Sequence, residues 1–141
     1  MEPPKRLVLD TDVMVGHLRG RSKDPDLMSY LQERCDLATT MINAFELYHG
    51  AYKSQQVRGN LASVKGFLST LDLLELDDVS MEKAGELLAD LERRGLAIDP
   101  RDLFIGCVST SSGRALLTNN RRHLERVSGL LVLTPADITT R

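Results

Sequence analysis

The sequence has few of the features that would settle its class quickly, and each shortage rules something out. Its two cysteines, Cys35 and Cys107, are too few and too far apart for a disulfide framework or a zinc site. Both fall in helical, mostly apolar contexts, which predicts buried free thiols and a reducing cytoplasm as the compartment. The three histidines, His17, His49 and His123, share no metal-ligand spacing. No apolar run is long enough to cross a bilayer. The start, Met1-Glu2-Pro3-Pro4-Lys5-Arg6, leads into an apolar run cut by Asp10 and Asp12, which excludes a signal peptide. There is no excess of basic charge: the net charge of -2 argues against the extended positive surface of a non-specific DNA coater. Repeats, low-complexity tracts and linkers are also missing. What remains is an ordinary globular composition, 42% apolar and 27% charged, over 141 residues. That length suits one domain, residues 1–141, with a proper core.

The apolar pattern alternates short strands with helices. Leu7-Val8-Leu9 predicts a first strand over residues 6–10, followed by a short helix over 12–18. Pro25 opens a second helix carrying Leu27, Met28 and Leu31 on one face. Leu37-Ala38-Thr39-Thr40 reads as a strand, and Asn43 as the start of a helix reaching about Tyr52. Val57, Leu61, Val64, Leu68 and Leu71 mark another helix, and residues 73–76 a strand ended by Asp77-Asp78. Ala84, Leu87, Leu88 and Leu91 form an amphipathic stripe ended by Gly95. Pro100 stands in the first turn of the next helix, which Gly113 closes. A strand over residues 115–118, a helical turn or two over 120–127 and a last strand over 130–133 complete the pattern. Such alternation predicts an α/β fold, a parallel sheet covered on both faces.

Chemistry concentrates where strands end. Asp10 stops the first strand, so its carboxylate emerges at the edge where open α/β sheets place their ligands. Asp is also a favoured helix N-cap, but Thr11 or Asp12 would serve that purpose equally well. Asn43-Ala44-Phe45-Glu46 has capping-box spacing, with Asn43 as the cap. Because this helix follows a strand beside the first, Glu46 also faces the same edge. Asp99 is the natural cap ahead of Pro100, which leaves Asp102, one turn in, to point inward. Thr118-Asn119-Asn120 follows a strand and reads as a turn or as a supporting set of ligands. Acids gathered at one point repel: two charges about 4 Å apart cost roughly 4 kcal/mol at an effective dielectric of ~20. A hard divalent cation relieves that repulsion and points to phosphate chemistry. Arg93, Arg94, Arg101, Arg114, Arg121, Arg122 and Arg126 crowd the last third of the chain, either as a solvated face or as phosphate clamps.

The order of these signals resembles the PIN-domain family, in particular the VapC-type ribonuclease toxins of toxin–antitoxin systems. The matching segments are Leu7-Val8-Leu9-Asp10-Thr11-Asp12, then Thr40 with Asn43-Ala44-Phe45-Glu46-Leu47 and Gly50-Ala51. They continue through Gly95-Leu96-Ala97-Ile98-Asp99-Pro100-Arg101-Asp102-Leu103-Phe104-Ile105-Gly106 and Leu117-Thr118-Asn119-Asn120, with His123-Leu124 following. The resemblance implies a Rossmann-like three-layer α/β/α domain with a mostly parallel sheet of four to five strands. It implies an acidic cluster that binds Mg²⁺ or Mn²⁺ and hydrolyses RNA. On that reading Asp10, Glu46 and Asp102 match the family's acidic metal-binding positions. Asn120 falls where a fourth Asp often stands, and Thr40 matches a common Ser/Thr near the site. Asp12 replaces a frequent Asn, and Thr118 and Asn119 support the cluster. Arg101, Arg121 and Arg122 are placed to contact RNA phosphates. The family further implies a VapB-type antitoxin as partner and a toxin homodimer, with no membrane association.

Two other readings compete. Asp10-Thr11-Asp12-Val13 after an apolar strand also fits the first motif of haloacid-dehalogenase-like phosphatases, with Asp10 as nucleophile and Asp12 as general acid/base. That family needs a later lysine and acidic pair, yet after Thr118 there is no lysine and only Glu125 and Asp137 remain. A non-catalytic RNA- or partner-binding module with a decayed site would have lost acids that this chain keeps.

Overall fold

Leu7, Val8 and Leu9 are each 0% exposed, and burial on both sides is what an unbroken apolar strand signifies in a parallel sheet. In the computed structural model, which describes residues 1–138, they form β1 (Arg6–Leu9) at the centre of five parallel strands. The others are β2 (Asp36–Thr40), β3 (Asp72–Leu74), β4 (Ala115–Leu117) and β5 (Val132–Leu133). The order across the sheet is β3-β2-β1-β4-β5. The register sets Leu7 beside Leu37 on one flank and Ala115 on the other.

Alternate side chains of β1 serve two cores. Leu7 and Leu9 pack towards α1 (Thr11–Leu18), α2 (Leu27–Arg34), α3 (Met41–Lys53) and α4 (Val57–Leu68). Val8, with Ala38 and Leu116, faces Ile105 of α6 (Pro100–Ser111). Behind α6 lies α5 (Asp78–Arg93), whose Ala84 and Leu91 meet Leu103 and Cys107. The result is the expected three-layer α/β arrangement, with each buried leucine contributing roughly 1.5–3 kcal/mol. The chain builds outward from β1 to β3, then crosses back through α5 and α6 to place β4 on the other side. This reversal between β1 and β4 makes their carboxyl ends the expected place for a site. Asp10 and Thr118, the residues after those two strands, meet there.

Several boundaries differ from the sequence reading. β3 spans Asp72–Leu74 rather than residues 73–76, because its partner β2 ends at Thr40, opposite Leu74. β5 is limited to Val132–Leu133, the two residues that pair with Leu116 and Leu117. Pro25 lies before α2, which begins at Leu27. Leu71 is buried but falls beyond the end of α4, and residues 120–127 hold only a 3-10 turn, Leu124–Arg126. Both cysteines are free thiols. Cys107 is buried as expected, but Cys35 is only partly so, because it ends α2 at the sheet margin.

Gly106 marks a tight approach between α6 and the chain after the 3-10 turn. A Cβ there would lie 2.6 Å from Val127 Cγ2 and 3.2 Å from Val127 Cβ. Val127 is β-branched and buried, so it has no free rotamer into which to retreat. Gly106→Ala is therefore expected to destabilise by about 1–3 kcal/mol through overpacking, less the roughly 1 kcal/mol gained in helix propensity. A lower denaturant midpoint at unchanged m-value would show this; an unchanged or higher midpoint would contradict it.

Candidate active site

Asp10 extends the sheet by one residue, its amide donating to the Leu117 carbonyl at 2.9 Å. Its side chain then turns into the start of α1. Oδ1 accepts from the Thr11 amide (2.8 Å), from Asn43 Nδ2 (2.9 Å) and from Arg101 Nη2 (2.8 Å). Oδ2 accepts from the Thr118 hydroxyl at 2.7 Å. Asp10 is thus both the N-cap of α1 and a site residue, and neither Thr11 nor Asp12 takes over the capping. With 3% exposure, this carboxylate is held by four donors in a buried position.

The second acid arrives by a different route from the one its spacing suggests. α3 starts directly after β2, so Thr40 is the N-cap and Asn43 the third helical residue. Thr40 Oγ1 donates to Asn43 Oδ1 (2.7 Å) and accepts from the Asn43 amide (3.3 Å). The box therefore sits three residues earlier than predicted, and Glu46 is released from capping. Its carboxylate accepts instead from the Thr11 hydroxyl and from Arg101. Asn43, read from the sequence only as a cap, is fully buried and donates to both Asp10 Oδ1 and Thr11 Oγ1 (2.9 Å each). The signal for this role was a pair of polar residues, Thr40 and Asn43, at a strand-to-helix junction in an otherwise apolar core.

At the third acid the local signals hold. Asp99 caps α6 through the Arg101 amide at 2.9 Å, Pro100 occupies the first turn, and Asp102 faces inward. Asp102 Oδ1 accepts from Arg101 Nη1 at 2.7 Å, and its Oδ2 lies 3.7 Å from His123 Nδ1. Arg101 is the centre of the cluster. Nε and Nη2 form a fork on Glu46 (2.6 and 2.8 Å), Nη2 also reaches Asp10, and Nη1 reaches Asp102. Burial works against its charge, but the Glu46 hydrogen bonds and the Asp10 charge outweigh burial, raising the guanidinium above its usual range.

The remaining candidates lie around this core. Asp12 accepts from the Asn119 amide at 3.2 Å and pins the turn after β4. Burial, and then the charge of Asp10, push its carboxyl up, against the amides and hydroxyl that it accepts from. Asn119 and Asn120 are exposed; Asn120 joins the site through its amide, which donates to Thr118 Oγ1 at 3.1 Å. Neither side-chain amide makes a hydrogen bond among the described residues. Arg122 is exposed and makes no ion pair among the described residues. Arg114 is buried at the opposite end of the sheet, tied to Asp36 (3.1 Å) and Asp72 (3.3 Å), so the arginine-rich last third does not form one clamp.

Arg121 lies between Glu125 (3.2 Å) and Asp137 (3.1 Å). The Thr134 amide, its hydroxyl, Arg121 and the N-terminus hold the Asp137 carboxyl below its ordinary value of 3.8. The stabilisation this represents is complete above that value and fades as pH falls through the lower, folded one. Asp137→Asn is expected to lower the melting temperature at pH 7 and to match wild type in strongly acid solution. A gap of equal size at both pH values would contradict this.

The donor set tests whether a metal fits. As the side chains stand, no three His, Cys, Asp or Glu residues are spaced to hold an ion among the described residues, since Arg101 lies between the acids. The chemistry does fit: Asp10, Glu46 and Asp102 offer only hard carboxylate oxygens, and all three already meet around one positive charge. That donor set suits Mg²⁺ or Mn²⁺.

Comparison with known proteins gives the family and the fold. Residues 7–130 match the profile of the family described as PIN domain. The tRNA(fMet)-specific endonuclease VapC of Shigella flexneri is 32% identical over 130 residues, 89% of this chain and 94% of that one. The fold is similar to VapBC2 from Rickettsia felis bound to a DNA fragment from their promoter. There the TM-score is 0.82 and the identity 25%, over 92% of this chain and 98% of that one. It is also similar to DNA-bound VapBC from Salmonella typhimurium, with TM-score 0.81 and identity 29% over 93% and 98% of the two chains. No helix among the described residues is long and apolar enough to cross a membrane.

Proposed function

The chain belongs to the PIN-domain family and to its VapC-type members, and from that membership we propose that it is a divalent-metal-dependent RNA endonuclease, the toxin of a toxin–antitoxin pair. The observation that carries this reading is the meeting of Asp10, Glu46 and Asp102, from three separate elements, around a single cationic group. Asp10 and Asp102 would hold Mg²⁺ or Mn²⁺, with Glu46 joining directly or through a water. Such an ion lowers the pKa of a bound water and neutralises charge on a scissile phosphate.

The chain's own residues supply the rest. Thr118, Asn43 and the Thr11 amide fix Asp10 so that its charge is already in place before substrate arrives. Thr40 does the same for Asn43. Glu46, 28% exposed against 5% for the Asp10 side chain, is the acid that reaches solvent and takes the proton of the attacking water. Asp12, Asn119 and Asn120 shape the turn beside it. Arg121 and Arg122, with Arg101, contact the flanking phosphates of the RNA. The sequence disfavours the phosphatase reading, because after Thr118 there is no lysine and only Glu125 and Asp137 remain as acids.

We read residues 1–141 as one PIN domain, cytoplasmic and homodimeric, and controlled by a VapB-type antitoxin. An apolar groove between α1, α3 and α4, lined by Val15, Leu18, Leu47 and Val64, runs up to Glu46 and suits a partner that covers the site. Incubating the purified chain with RNA tests the function. Internal cleavage is expected with Mg²⁺ or Mn²⁺ and none with EDTA, while a chromogenic phosphate ester stays intact. Cleavage that persists in EDTA, or ester hydrolysis with RNA left whole, would overturn the proposal.

A further inference from the structure

We infer that Arg101 is the site's resident counter-ion, a guanidinium that exchanges with the divalent cation on the carboxylates of Asp10, Glu46 and Asp102. The inference rests on the nuclease reading above and adds a specific competitor to it. The oxygens show why the two exclude each other. Arg101 takes both oxygens of Glu46, Oδ1 of Asp10 and Oδ1 of Asp102. Oδ2 of Asp10 is engaged by Thr118. A metal ion shared by Glu46 and the two aspartates would take the place where the guanidinium sits and meet its like charge, so the arginine must lift away.

The position of Arg101 also shows that the acids hold it there. It is the second residue of α6, and a cation in a helix's first turn opposes the helix dipole. The contacts with three carboxylates outweigh that penalty. They leave a surplus of negative charge, because the three carboxylates of Asp10, Glu46 and Asp102 share one guanidinium. A divalent ion answers this surplus better than a single guanidinium. The side chain has an outward path, being 31% exposed at the mouth of the site. Arg101 thus keeps the acids together without metal, at the expense of metal affinity, and once displaced it turns to the RNA phosphates.

The test is Mn²⁺ titration of the full chain, reading free Mn²⁺ by electron paramagnetic resonance, together with thermal melts in chelator and in saturating Mn²⁺. Arg101→Gln should tighten Mn²⁺ binding roughly 5–150-fold, the usual span for ligands coupled at one protein. It should also melt below wild type in chelator, with the gap closing in Mn²⁺. Arg101→Lys keeps the charge but not the fork, so its affinity should fall between the two, and it carries the test if the glutamine variant does not fold. Unchanged or weaker Mn²⁺ binding by the Arg101 variants, with Asp10→Asn losing it, would overturn the exchange alone. Equal binding by Asp10→Asn and wild type would instead show that the metal site is misplaced, and the exchange would fall with it.

Discussion

Asp10→Asn is expected to reduce RNA cleavage on the order of 10³-fold or more, because a bound metal ion contributes several kcal/mol of charge stabilisation to the transition state. The substitution is nearly isosteric. The amide oxygen of asparagine can still accept from the Thr11 amide, and its nitrogen can donate to the Thr118 hydroxyl, so the α1 cap and the β4 junction survive. What disappears is the charge at the most buried of the three acids. Asp102→Asn should behave in the same way. Single-turnover cleavage with Mg²⁺, alongside a thermal melt, separates chemistry from folding. Full activity in either variant would mean that the cluster is not the active site.

The largest effect on stability is expected at Asn43. It is 0% exposed, donates to Asp10 and Thr11, and closes the capping box with Thr40. Asn43→Ala keeps the Thr40 cap but leaves buried polar groups on Asp10, Thr11 and Thr40 without their partner, at roughly 1–3 kcal/mol each, so a loss of about 2–4 kcal/mol follows. Asn43→Asp is worse at neutral pH, since it puts a second carboxylate against Asp10 where a donor stood. A buried acid facing another acid has a raised pKa, so its cost is greatest above that pKa and shrinks as pH falls through it. Denaturation at pH 7 and pH 4 should therefore show Asn43→Asp recovering towards Asn43→Ala in acid. An aspartate variant as stable as wild type at pH 7 would contradict the role given to Asn43.

The sequence made legible whatever local chemistry decides. The run Leu7-Val8-Leu9 announced a strand buried on both faces, and Asp99-Pro100 announced the start of α6 so firmly that Asp102 was left to face inward. The cap of α3 was misplaced because it depends on where β2 stops, and β2 stops where its ladder with β1 and β3 allows. From its type and neighbourhood Arg101 reads as a phosphate contact, and its second role, as partner of the acids, is invisible in the sequence. Its acceptors on Glu46 and Asp10 lie 55 and 91 residues away in sequence, beyond what local pattern can show. Arg114 illustrates the same limit in reverse. It belongs to the arginine-rich stretch in sequence, but the start of β4 carries it to the far end of the sheet, against Asp36 and Asp72.

Anomalous scattering from crystals soaked in Mn²⁺ tests the central claim most directly. The account predicts a peak bonded by Asp10 and Asp102, with Glu46 attached directly or through one water and the Arg101 side chain displaced from all three. A peak elsewhere on the molecule, or none at saturating Mn²⁺ with Arg101 still on the carboxylates, would contradict it.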